Sequence, residues 1–239
     1  MIRIFQETPL GIGEDVCLDR FASQHLLTVL RLRKGEQFVT FNGQGGEYHV
    51  ELVDEQKKCA VVHVVSHDPI DRESPLAVHL GQGLSRGERM DYAIQKSVEL
   101  GVAAITPLIT ERCNVKLSAE RLQKRLDHWR KVIISACEQS GRTRIPTIHP
   151  PQRMNDWIDH CEGLRFICDF NESAQADTTK ATKASLLIGP EGGLTDDEMS
   201  YAHQNEFLSL SLGPRVLRTE TATVAALTKL QMRYGDLVA

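Results

Sequence analysis

The sequence predicts an α/β protein: a parallel sheet with flanking helices in the C-terminal part, preceded by a small β-barrel domain. Three observations predict it. Residues 1–67 hold short runs of β-forming residues around one helical stretch. Asp68-Pro69-Ile70-Asp71-Arg72-Glu73-Ser74-Pro75 is polar and bracketed by prolines, the composition of a linker. From Leu76 onward, short apolar runs alternate with amphipathic stretches, the pattern that β-α-β units leave in a sequence.

In the first part, Glu36 to Phe41 is β-rich, Asn42-Gly43-Gln44-Gly45-Gly46 signals a turn, and Tyr48 to Val53 alternates again. Lys57-Lys58 marks a further turn, and Cys59 to Val65 reads as a third strand. Phe21 to Leu32 reads as a short helix with Ala22, Leu26, Val29 and Leu30 on one face. Several short strands around one helix suggest a small barrel.

In the second part, Leu76 to Leu80 is a short strand, and Arg89 to Leu100 is a helix burying Met90, Ala93, Ile94 and Val98. Ile105 to Ile109 is a strand. Ser118 caps a long helix ending near Gln139, with Gly141 just beyond it. Leu164 to Cys168 and Ser185 to Ile188 are strands. Thr195-Asp196-Asp197-Glu198 is a capping box opening a helix to about Asn205. Leu208 to Leu212 is the last strand and Glu220 to Tyr234 the last helix.

Composition narrows the function. No apolar run approaches bilayer length, and Met1-Ile2-Arg3-Ile4-Phe5-Gln6-Glu7 lacks the basic-then-apolar plan of a signal peptide, so a cytoplasmic location and no membrane partner are expected. Six scattered cysteines, none as C-x-x-C, are expected to be reduced structural thiols. The nine histidines form no cluster in the sequence, so no metal site is expected. Net charge is −4, yet residues 76–150 carry +5 between segments of −4 and −5. That basic island hints at a polyanionic partner.

Two segments run strand, Gly-Pro, helix: Leu186 to Leu194, containing Gly189-Pro190-Glu191-Gly192-Gly193, and Leu210 to Ala222, containing Gly213-Pro214. Both lie at carboxyl ends of strands, where open α/β sheets bind ligands. Neither a G-x-G-x-x-G after a strand nor a G-x-x-x-x-G-K-[ST] occurs. Glu191 inside the first loop would repel a phosphate. A ligand with ribose hydroxyls and a positive centre fits better, and S-adenosylmethionine has both.

Gly189-Pro190-Glu191-Gly192-Gly193 together with Leu212-Gly213-Pro214-Arg215-Val216-Leu217-Arg218-Thr219-Glu220-Thr221-Ala222 resembles the RsmE family, bacterial 16S ribosomal RNA uridine-N3 methyltransferases of the SPOUT superfamily. Ser85 to Asp91, Gln95 to Val102, Pro107-Leu108, Glu111-Arg112-Cys113 and Ala136 to Arg142 also look like that family. The resemblance implies a PUA-like RNA-binding barrel over 1–70 and a SPOUT domain over 76–239 with a C-terminal trefoil knot. It further implies a homodimer acting on 16S ribosomal RNA or the small ribosomal subunit.

On that reading Leu187, Ile188, Gly189, Pro190, Glu191, Gly192 and Gly193, with Leu212, Gly213, Leu217, Arg218 and Thr219, hold the donor, and Asp169, Phe170 and Asn171 form a third wall. Arg218 is the catalytic-site arginine, since a guanidinium can stabilise a developing N3 anion; its plainer role is an ion pair with Glu220. Glu220 and Glu191 are candidate general bases, and Glu220 equally suits a helix first turn. Arg86, Arg89, Arg112, Arg142 and Arg144 are expected to contact RNA phosphates. Methylation of another atom, and an RNA-binding assembly factor without transferase activity, stay open.

Overall fold

The structure, a computed structural model, describes residues 2–56, 59–113, 119–169 and 181–237. The chain divides into two units. The first comprises Met1–Glu73 and Cys137–Ile145, the second Ser74–Ala136 and Pro146–Ala239.

The first unit holds β1 (Arg3–Phe5), β2 (Asp15–Cys17), α1 (Arg20–Gln24), β3 (Gln37–Phe41), β4 (Glu47–Gln56) and β5 (Cys59–Asp68). They form one sheet of order β1-β3-β4-β5-β2, antiparallel except for the β1–β3 pair. Its core gathers Ile4, Leu18, Ala22, Leu26, Phe38, Val50, Leu52, Ala60, Val62 and Val64. These positions recur at every second residue along β4 and β5, as a sheet covered on one face requires.

The helix departs from its expected form. Asp19 caps α1 by accepting from Phe21 N and Ala22 N. The chain then widens into a π-helical turn over His25–Leu30. The Leu32 amide donates to the Leu26 carbonyl at 3.0 Å. That wider winding breaks the three-and-four spacing. Ala22 and Leu26 are fully buried, whereas Val29 is 65% exposed.

Two further differences lie in this unit. Cys17 and Cys59 are joined as a disulfide between β2 and β5, where six reduced thiols are expected from the sequence; among the described residues Cys113, Cys137, Cys161 and Cys168 form no disulfide. Glu47, His49 and Asp68 bring one donor atom each within 4.8 Å of one another, a grouping that turn formation creates and spacing hides. Glu47 already accepts from Arg3 and Arg72. Burial alone would raise its carboxyl, but the Arg3 and Arg72 guanidiniums hold it below the ordinary value.

The second unit holds β6 (Ala77–Gly83), α2 (Glu88–Glu99), β7 (Val102–Ile109), α3 (Ala119–Ser140, whose last four residues count with the first unit), β8 (Thr147–Ile148), β9 (Gln152–Arg153), α4 (Met154–Ile158), β10 (Leu164–Cys168), β11 (Lys183–Ile188), α5 (Asp196–Gln204), β12 (Leu208–Leu210) and α6 (Thr219–Tyr234). The strand order is β12-β10-β11-β6-β7-β8, with β9 also on β7, and every pairing is parallel. This is the parallel α/β sheet expected.

The central strands are mostly buried because helices cover both faces. On one side Ile167 and Leu187 pack with Trp157 of α4 and Ala202 of α5. On the other, Phe166 stacks on Tyr234 of α6 at 6.2 Å between ring centroids. Met90, Ala93, Ile94 and Val98 of α2 are all buried. Thr195 and Glu198 form the expected capping box, with Thr195 N donating to Glu198 at 2.9 Å and Glu198 N donating to Thr195 at 3.2 Å. The expected capping role of Ser118 lies outside the described residues.

Candidate active site

Three adjacent parallel strands, β12, β10 and β11, end side by side at Leu210, Cys168 and Ile188. At those ends lies a cavity of about 920 Å³. Both Gly-Pro loops line it: Ile188 to Leu194 from one side, Leu212, Gly213 and Arg215 to Glu220 from the other. The cavity lies outside the carboxyl ends of the strands, where the sequence predicts a ligand site.

A buried hydrogen-bond chain fixes the two loops against each other. Thr219, the first residue of α6, donates its hydroxyl to the Gly189 carbonyl at 2.7 Å. The same oxygen accepts from Gln82 Nε2 of β6 at 3.0 Å. Thr223, one turn along α6, has its hydroxyl oxygen 2.6 Å from Gln82 Oε1 and 2.8 Å from the Thr219 carbonyl, two acceptors that share its one hydrogen. Gln82 and Thr223 are fully buried, so every polar atom here needs its partner.

Glycine is required at two points. A Cβ on Gly83 would stand 2.6 Å from the Gly189 carbonyl carbon and 2.8 Å from Pro190 Cδ. Only glycine lets β6 approach the loop so closely. Gly213 adopts φ +97°, a conformation open to glycine, and its α-carbon faces free space. The first loop closes as a tight turn, with Gly193 N donating to the Pro190 carbonyl at 2.9 Å. Arg112 braces it by donating to the carbonyls of Leu194 at 3.2 Å and Gly192 at 3.4 Å.

Most of the expected donor residues line the cavity: Ile188, Gly189, Pro190, Glu191, Gly192, Gly193, Leu212, Gly213, Leu217, Arg218 and Thr219. Leu187 does not. It is fully buried among Met154, Trp157 and Ile167, because alternation along β11 turns it to the opposite face from a residue bordering the loop. Asp169 lines the cavity; Phe170 and Asn171 lie outside the described residues.

Arg218 and Glu220 both line the cavity. Among the described residues no ion pair joins them, and Glu220 Oε2 is buried with no hydrogen-bond partner. Glu191 is engaged instead: Arg89 Nη1 donates to it at 2.8 Å. Burial pushes the thiol of Cys168, at the cavity edge, up to about 12.

The expected RNA-facing arginines separate. Arg86 and Arg89 are exposed at the mouth of the second unit's sheet. Arg112 serves the first loop. Arg142 is a correction. It is 4% exposed, and its guanidinium donates to both oxygens of Glu73. A buried guanidinium held in that way is structural, since freeing it would strand two charges. Arg144 is exposed and lies 3.7 Å from Asp71.

The sequence reading missed one wall. Asp196, Met199, Ser200 and His203 of α5 line the cavity at helical spacing. His203 donates Nδ1–H to the Phe207 carbonyl at 2.9 Å and stands 3.4 Å from Asp169, which also accepts from Ser209 at 3.1 Å. The signal was the three-and-four spacing of Asp196, Met199, Ser200 and His203 from the start of the capped helix.

A family model described as an RNA methyltransferase domain matches residues 72–231, and one described as an RNA methyltransferase PUA domain matches residues 19–65. The chain is thus an RNA methyltransferase by its domains. Ribosomal RNA small subunit methyltransferase E of Buchnera aphidicola (subsp. Schizaphis graminum) is 36% identical over 98% of this chain and 97% of its own. The Bacillus subtilis enzyme of the same name is 33% identical over 86% of this chain and 85% of its own. A Legionella pneumophila methyltransferase solved with bound SAM superposes with a TM-score of 0.95 at 43% identity, over 99% of both chains. The Neisseria gonorrhoeae ribosomal RNA small subunit methyltransferase E bound to S-adenosylmethionine gives 0.91 at 38% identity, over 100% of both. The chain belongs to the ribosomal RNA small subunit methyltransferase E (RsmE) family.

Proposed function

We propose that the protein transfers a methyl group from S-adenosylmethionine to N3 of a uridine in 16S ribosomal RNA of the small ribosomal subunit. The observation that carries this is the single cavity built by both Gly-Pro loops at the ends of three parallel strands. The residues present fit the donor. Ile188, Leu212 and Leu217 offer apolar wall for an adenine, and Asp169, Glu191, Asp196 and Glu220 favour a cation. The bare α-carbon of Gly83 keeps the loop seated against β6. The donor supplies an electrophilic methyl on a sulfonium, and transfer then needs alignment rather than a metal.

The chain's own residues do the rest. The Thr219–Gly189 bond holds the loop in the shape that receives the donor. On this reading Arg218, which lines the cavity and is not paired with Glu220, grips the uracil and offsets the charge that develops at N3. Of the two candidate carboxylates, Glu191 is tied to Arg89 and Glu220 keeps an unpartnered oxygen. Glu220 is therefore the acceptor for the N3 proton.

Finer features belong to the same reading. Residues 1–70 act as a PUA-like RNA-binding domain and 76–239 as the SPOUT domain. A trefoil knot is supported by the path of the chain: β12 lies at the sheet's far end, yet α6 returns to bond Gln82 of β6 and to pack on α2. A homodimer belongs to the same reading, and Tyr92, Val216 and Met232 are among the exposed apolar side chains available to it. No described helix is long and apolar enough to cross a membrane, and a cytoplasmic site of action follows from a ribosomal substrate. Methyl transfer from labelled S-adenosylmethionine to small ribosomal subunits lacking their native modifications tests the proposal. Incorporation is expected; donor binding without incorporation into any ribosomal RNA would leave an assembly factor instead.

A further inference from the structure

Beside the donor cavity lies a second one of about 510 Å³, lined by Arg86, Glu88, Arg89 and Glu191. Arg89 and Glu191 belong to the walls of both. Their ion pair, 2.8 Å long, thus stands between the two spaces. The side chains remain 49% and 28% exposed, so the pair can open without exposing a buried charge. The backbone around Glu191 is fixed by the Gly193–Pro190 turn bond and by Arg112. Movement at this point is therefore a matter of the two side chains, not of the loop.

The cavity is lined by two guanidiniums and two carboxylates; with Glu191 turned away, Arg86 and Arg89 outweigh Glu88 there, and a phosphate, which binds arginine in a bidentate manner, suits them. We infer that this second cavity receives the phosphate of the nucleotide to be methylated, and that Glu191 is a built-in competitor which the phosphate displaces from Arg89. Glu191 is then a positioning residue. In the free protein it holds Arg89 at the border of the donor cavity. When RNA arrives, Arg89 exchanges one anion for another and draws the target nucleotide to that border. The inference rests on the proposed function and adds the subsite and its exchange.

The direction of one effect separates this from a merely structural ion pair. Binding of in vitro transcribed 16S ribosomal RNA is measured by fluorescence anisotropy over a range of salt concentrations. Arg89→Ala is expected to weaken binding about tenfold, as loss of one charge-assisted contact does, and to lower the salt slope by about 0.7 to 0.9. Glu191→Gln, with the competitor's charge removed, is expected to tighten binding about threefold to tenfold. Glu191→Asp, reaching Arg89 less well, should fall between Glu191→Gln and the parent, and it covers the case in which the glutamine variant folds poorly by circular dichroism. Weaker or unchanged binding by the Glu191 variants overturns the exchange, as does unchanged binding by Arg89→Ala. No binding of RNA by the parent chain would overturn the proposed function itself, and this inference with it.

Discussion

The Thr219 hydroxyl donates to the Gly189 carbonyl at 2.7 Å across thirty residues of sequence. It ties the start of α6 to the loop after β11, so the two Gly-Pro segments are held together around one cavity. Gln82 completes the tie from β6.

Thr219→Val keeps the shape and removes both bonds, leaving Gln82 Nε2 and the Gly189 carbonyl without this partner. Buried groups left unsatisfied cost about 1 to 3 kcal/mol. Chemical denaturation should show that loss, and calorimetry should show weaker binding of S-adenosylmethionine. Parent-like stability and affinity would mean that the tie is incidental.

Gly83→Ala should harm donor binding more than Gly189→Ala. A Cβ on Gly83 meets backbone at 2.6 Å, whereas one on Gly189 meets the flexible Leu194 side chain at 3.2 Å. Equal affinities in the two variants would contradict the close approach of β6 to the loop.

Arg218→Ala should lower the transfer rate by about 10²-fold or more, the usual cost of losing one group that stabilises developing charge. Donor affinity should stay near that of the parent, because among the described residues the guanidinium has no bond to the first loop or to Glu220. Turnover at the parent rate would remove Arg218 from the chemistry.

His79 provides a pH test of the fold. Burial, aided by His149, depresses its pKa from 6.5 to about 4. A neutral ring agrees with its contacts, since Nε2 accepts from Trp157 Nε1 at 3.2 Å and lies 2.8 Å from the Thr106 hydroxyl. Between those two values the unfolded chain binds the proton and the folded chain does not. Its stabilisation is therefore complete above about pH 6.5 and is lost as pH falls towards 4. His79→Asn keeps an acceptor that does not titrate, and its melting temperature should fall less steeply over that window. Parallel curves would show that His79 is not a source of the acid sensitivity.

Much of this was legible in the residues. The α2 face of Met90, Ala93, Ile94 and Val98, the Thr195–Glu198 box and both Gly-Pro loops announce themselves through local spacing, because local hydrogen bonds and one-sided burial produce them. Other features depend on distant partners. The burial of Arg142 on Glu73 requires residues 69 apart in sequence to meet. The turn of Leu187 into the core depends on which face of β11 borders the cavity. The π-helical turn at His25–Leu30 overrides a spacing that suits an α-helix, and the wall contributed by α5 exists only once β10 and β12 set it beside the loops.

The most direct measurement is mass spectrometry of nucleosides from small ribosomal subunits incubated with the protein and labelled S-adenosylmethionine. Labelled 3-methyluridine as the sole product is the expected result, and it would establish donor, RNA and atom together. Label in a ribose or in another base would contradict uridine N3 as the target while keeping the methyltransferase, and absence of label from a preparation that binds the donor would contradict transfer itself.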